Sequence, residues 1–144
     1  RMTDLQGAIG VVQLKKLDEF INERSKWATF YKKELATISW LSLPSFNDDH
    51  KHGWQSFVLL VDESKAPKSR NEIMEELQIK GISTRPGTHA VHMLSYYRKK
   101  YRIESKDFPQ AYAADQCSIS FPLFHGMKED EQDFVIEKVL EYQP

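Results

Sequence analysis

Residues 54–61, WQSFVLLV, are apolar and rich in β-branched and aromatic side chains, which predicts a strand. Before it, 42–53 is a polar loop holding Pro44, Asn47, Asp48, Asp49, His50 and His52. After it, a polar connection with Pro67 leads to a predicted helix over 69–80. Ser69 caps that helix, Glu72 stands at the capping-box position, Ile73, Met74 and Leu77 form its buried face, and Gly81 ends it. A short strand over 82–85 closes on Pro86-Gly87. Further on, the patterns predict a helix over 91–100, a helix over 109–117 with Pro109 in its first turn, and a strand within SISFPL (118–123). A closing helix over 128–142 is expected to turn Phe134, Val135, Val139 and Leu140 inward.

The other flank begins with RMTDLQGAIG (1–10). Thr3 and Gln6 form a capping box, and the apolar positions Met2, Leu5, Ile9 and Val12 recur at three- and four-residue steps. Leu17, Phe20, Ile21, Ala28, Tyr31 and Leu35 continue the stripe, so 1–38 reads as one long interdomain or interface helix with a bend between residues 14 and 18. Residues 39–144 then form a small domain. The expected class is α+β, with a small, mostly antiparallel sheet packed against helices.

Of the 144 residues, 40% are hydrophobic and 28% charged, and the net charge is −1. That balance argues against nucleic-acid binding driven by bulk charge. The single cysteine, Cys117, allows neither a disulfide framework nor a paired-cysteine metal site, and a reduced, cytoplasmic setting is the simplest reading. No apolar run reaches membrane-spanning length.

Reactive side chains concentrate in GISTRPGTHAVHMLSYYRKKY (81–101). Pro86-Gly87 presents Thr88 and His89 at a loop tip, with Arg85 beside them. His89 and His92, three residues apart, could share a face as metal ligands, pack in the loop against tyrosines, or contact an anion. No third ligand follows at a diagnostic spacing. His50 and His52 read as solvated loop residues, His125 as a turn residue, and Trp27, Trp40 and Trp54 as core or interface aromatics.

RMTDLQGAIG, followed by Gln13-Leu14 and Lys16-Leu17-Asp18, resembles the segment after the G-Y-N-x-R signature of the DegT/DnrJ/StrS family, pyridoxal-phosphate (PLP)-dependent aminotransferases acting on nucleotide-linked keto-sugars. Gly81-Ile82-Ser83-Thr84-Arg85, Thr88-His89-Ala90-Val91-His92, Tyr96-Tyr97, Pro109-Gln110-Ala111-Tyr112 and Phe121-Pro122-Leu123 match its later blocks, so the resemblance spans the chain. Gly7 replaces a usual Ala, Thr88 a Tyr and Ala90 a Pro.

The resemblance implies the C-terminal small domain of a fold-type-I aminotransferase. Glutamate would supply the amine, PLP would carry it, and a nucleotide-linked keto-sugar would receive it in a homodimer. It places the Schiff-base lysine upstream, so no catalytic residue and no metal is expected here, and the chain alone is expected to bind no PLP and to be inactive. Arg1 would lie on the cofactor-phosphate side. His92, then Arg85 and Tyr97, then His89, are the expected contacts to the sugar nucleotide. The rival expectations are a non-catalytic sugar-nucleotide-binding or protein-interaction domain of the same fold, and a small histidine-based metal protein.

Overall fold

The computed structural model describes residues 1–47 and 49–143; Asp48, read above with the 42–53 loop, and Pro144 lie outside them. Among the described residues the chain runs through helices α1 (Asp4–Leu14) and α2 (Leu17–Glu34), strands β1 (Leu41–Ser42) and β2 (Phe57–Val61), then helices α3 (Arg70–Ile79), α4 (Ser95–Tyr101) and α5 (Pro109–Cys117). Strand β3 (Ser118–Phe121) and helix α6 (Glu129–Leu140) close it. One-turn 3₁₀ helices occupy Val91–Met93 and Ser105–Asp107. The architecture is α+β.

The sheet is antiparallel with order β1-β2-β3. The apolar run supplies its centre, where Phe57 pairs with Phe121, Leu59 with Ile119 and Val61 with Leu41. Alternation along β2 sets the two faces. Phe57, Leu59 and Val61 are buried, whereas Leu60 is exposed. The buried face joins Tyr31 of α2 and Leu35 just after it, Ile73 and Leu77 of α3, and Val135, Ile136 and Val139 of α6 in one core. Each such apolar side chain contributes about 1.5–3 kcal/mol on leaving water. Tyr31 stacks on Phe57 with ring centroids 5.0 Å apart, and its hydroxyl donates to the Pro122 carbonyl at 3.1 Å.

Local chemistry explains several boundaries. Thr3 and Gln6, and Ser69 and Glu72, close reciprocal capping boxes at the starts of α1 and α3. At the end of α3, Ile82 N–H donates to the Leu77 carbonyl at 2.8 Å and Gly81 N–H to that of Gln78 at 3.0 Å. This is the Schellman closure, and it needs the positive φ of Gly81, +86°. Helix α1 stops at Leu14, and a Lys15-Lys16 turn separates it from α2. No residue of α1 is buried.

Three local expectations need correction. Residues 82–85 form no strand; Arg85 makes a single antiparallel bridge to Ser120. The Gly81 turn and Pro86, which lacks an N–H, leave no room for a ladder. The expected helix over 91–100 is split by Leu94, whose backbone is extended (φ −60°, ψ 137°). Phe134 faces solvent at 42% exposure. The buried stripe of α6 is Gln132, Val135, Ile136 and Val139, and Phe134 falls off it by helical phase. Gln132 occupies a core position because its amide donates to the Trp27 carbonyl at 2.7 Å.

Candidate functional site

The 85–93 loop holds three of the sequence-predicted site residues, and it is pinned to β3 and α5. Ser120 N–H donates to the Arg85 carbonyl at 2.7 Å, and Arg85 N–H returns a bond at 3.3 Å. Gly87 N–H donates to Ser118 Oγ at 3.0 Å. Ala90 N–H donates to Asp115 Oδ1 at 3.1 Å. Gly87 is required by close approach: a Cβ there would lie 2.3 Å from Val58 Cγ1 and 3.0 Å from Ser118 Cβ.

This frame fixes the backbone and leaves the polar side chains outside. Arg85 and His89 are exposed. His89 Nδ1 stands 3.6 Å from Asp115 Oδ1. His92 is half-buried, with its ring 5.1 Å from that of the exposed Phe108. Its Nε2 is buried and has no hydrogen-bond partner among the described residues. Tyr97, on α4, is 37% exposed and stacks on Tyr101 at 6.3 Å. Arg1 is exposed ahead of α1 and makes no hydrogen bond or ion pair among the described residues. The structure thus gathers Arg85, His89 and His92 on one pinned loop, places Tyr97 on the helix that follows it, and shows no contact between Arg1 and any of them.

Beneath the loop lies a residue that sequence reasoning missed. Arg70 is only 6% exposed. Its guanidinium donates to the carbonyl of Ser118 at 2.8 Å and to that of Asp115 at 3.1 Å. Those carbonyls close the C-terminal end of α5, where a cation is favoured. Arg70 therefore sets the two residues, Asp115 and Ser118, that hold the loop. Its partners lie 45 and 48 residues away, so no local pattern announces it.

A second polar cluster ties α2 to the turn before α6. Glu23 accepts from Gly126 N–H at 2.9 Å and pairs with His125 Nδ1. The Phe20 ring lies 4.4 Å from that of His125. Partial burial pushes the Glu23 carboxyl up, but the bonds from Gly126 and His125 outweigh it and hold its pKa below the usual glutamate range. His52 also departs from a merely solvated role: its Nδ1 accepts from Trp54 N–H at 2.9 Å.

Among the described residues, no group of three histidine, cysteine or acidic side chains is placed to hold a metal ion. No described helix is long and apolar enough to cross a membrane.

Comparison with known proteins now bears on these features. A model of the DegT/DnrJ/EryC1/StrS aminotransferase family matches residues 1–140. The spore coat polysaccharide biosynthesis protein SpsC of Bacillus subtilis is 37% identical over 139 residues, covering 96% of this chain and 36% of that protein. The sugar aminotransferase CalS13 of Micromonospora echinospora shares the fold with a TM-score of 0.83 at 23% identity, covering 99% of this chain and 36% of its own. Spr1654 of Streptococcus pneumoniae, solved in its PLP form, has a TM-score of 0.83 at 25% identity, over 95% of this chain and 34% of its own. The chain thus spans about a third of the length of the relatives it matches.

PLP, the group such a comparison implies, does not fit the residues of this chain taken alone. A Schiff-base lysine works from a desolvated pocket, and among the described residues every lysine is exposed or half-exposed. Lys80 and Lys138, two of the more covered ones, are tied to Glu141.

Proposed function

We propose, for a chain that belongs to the DegT/DnrJ/EryC1/StrS aminotransferase family, that it forms the small C-terminal domain of an enzyme transferring an amino group, with glutamate as donor, to a nucleotide-linked keto-sugar. PLP supplies the electron sink for amino transfer when bound in the intact enzyme. Residues outside this chain hold it, and Arg1 borders its phosphate side. The 85–93 loop closes over the sugar nucleotide. His92 contacts the substrate first, supported by Arg85 and Tyr97, with His89 at the margin. An arginine at that edge suits a phosphate oxygen because its fork gives two parallel charge-assisted bonds.

The observation that carries this reading is the buried, partnerless Nε2 of His92 on a loop fixed at three points. A buried polar atom without a partner carries a desolvation cost of ~1–3 kcal/mol, so a rotation of the His92 ring that brings Nε2 to a ligand hydroxyl or phosphate oxygen is favoured. Residues 1–38 serve as the interface to the cofactor-bearing domain and to the second subunit of a homodimer. The exposure of Leu5, Ile9, Val12 and Leu14 along α1 supports that role. The same surface is what a non-catalytic interaction domain would offer, and the two readings separate by assay.

The test is steady-state kinetics on the intact enzyme with His92→Phe. The expected result is a raised KM for the sugar nucleotide with unchanged PLP content. An unchanged KM overturns the assignment of His92. A PLP chromophore retained through dialysis by the 144-residue chain alone overturns the division of labour.

A further inference from the structure

Trp54 stands just before β2 in a conformation that its size makes costly. Its φ is 45°, in the left-handed region, where a bulky side chain crowds its own backbone and glycine is the relaxed choice. The residue is nevertheless only 4% exposed, and its ring lies 5.8 Å from that of Phe57 in the core. A residue kept at such a place needs surroundings that over-determine it.

The hold is local. His52 Nδ1 accepts the Trp54 main-chain N–H at 2.9 Å, across Gly53. The His52 ring packs on the Trp54 ring with centroids 4.1 Å apart, and the Phe46 ring lies 5.5 Å from each. Nδ1 accepts only while it carries no proton, so the closed turn requires the neutral ring with its hydrogen on Nε2. A proton on Nδ1 sets two donors against each other and leaves the Trp54 N–H without its acceptor. The surroundings give a protonated ring nothing in return. His52 shares a cleft against α2 with Ser25, Thr29, Lys32, His50 and Lys51, none of them acidic. Lys32 sits over the Phe46 ring at 5.0 Å. Among the described residues, the nearby acids are engaged elsewhere: Asp18 of α2 pairs with Lys51 at 3.5 Å, and Asp49 lies 4.0 Å from His50.

We propose that His52 is a proton-operated latch at the entry to β2. Neutral, it clamps Trp54 in the left-handed turn. Protonated, it frees Trp54 to an extended backbone and parts the Phe46, His52 and Trp54 rings. The closed turn takes no proton on Nδ1 and the released ring does, so acid favours release. The latch uses none of the residues assigned to amino transfer and stands apart from that reading.

The test is hydrogen exchange at the Trp54 amide of the isotope-labelled 144-residue chain, read as protection relative to an unstructured peptide at the same pH. With the released ring at the ordinary histidine value of about 6.5, protection should fall about tenfold between about pH 7.5 and about pH 5.5. In His52→Asn it should change by less than about twofold, because the amide oxygen of Asn accepts the N–H two residues on and takes up no proton in this range. In His52→Leu, which has no acceptor, protection should be low at both pH values. The Ala28 amide, in the middle of α2, should keep its protection in the parent throughout. A parent without pH dependence, an equal fall in His52→Asn, an equal fall at Ala28, or parent-like protection in His52→Leu overturns the latch.

Discussion

Arg70 donates to the main-chain carbonyl of Asp115 at 3.1 Å, while the carboxylate of that same Asp115 accepts the N–H of Ala90 at 3.1 Å. One residue of α5 thus passes the position of α3 to the 85–93 loop. Arg70→Ala should remove about 2–4 kcal/mol of stability, because it strands two buried carbonyls and empties a core volume. Urea denaturation checks the magnitude. Hydrogen exchange checks the relay: Ala90 N–H should lose protection well beyond the global loss.

Gly87 is read from sequence as a turn glycine, but its backbone lies against β2. Gly87→Ala should cost about 1–3 kcal/mol, the usual penalty of overpacking. Val58→Ala removes the atom that the new Cβ would strike at 2.3 Å. The double variant should therefore be less destabilised than the sum of the two single changes, which a double-mutant cycle measures. Strict additivity would mean that the close contact is not what selects glycine.

Much of this arrangement was legible in the chain, and the legible part is local. The stop at Gly81 follows from chemistry within six residues, and the caps at Thr3 and Ser69 from side chains three apart. The centre of the sheet follows from β2 and its alternation. What was not legible depends on distant partners. Arg70 looks like any charged residue in the first turn of a helix until α5 folds onto it. Phe134 looks like core until the phase of α6 is set by Gln132, Val135, Ile136 and Val139, with Gln132 held inward through the Trp27 carbonyl. At the site, the sequence isolates the 85–93 segment as rich in chemistry, yet Asp115, Ser118 and Phe108, which hold or cover it, lie in segments without a motif.

The Glu23 cluster gives a pH dependence with a definite sign. Its folded pKa lies below that of the unfolded chain, which is about 4.3 for glutamate. The stabilisation it gives is fully present above that value and is lost as pH falls through the lower folded pKa. Stability of the parent should therefore drop from about pH 4.5 downward. Glu23→Gln should be less stable at pH 7 and show a flatter acid limb. Chemical denaturation at a series of pH values decides it, and an unchanged acid limb removes Glu23 from the account.

Helix α1 contributes apolar surface without contributing core. Met2, Leu5, Ile9 and Val12 are all more than half exposed, and no residue of the helix is buried. An isolated helix of eleven residues is marginal in water, even with the capping box at Thr3. Ile9→Glu should therefore leave the unfolding free energy of residues 17–143 within about 0.5 kcal/mol, the range of ordinary surface substitutions. The same change should make any self-association of the chain weaker, because it places a charge in the exposed apolar stripe. Urea denaturation and sedimentation velocity on one pair of samples test both statements. A large loss of stability would show that α1 packs on the small domain. Unchanged association of a self-associating parent would move the interface away from this helix.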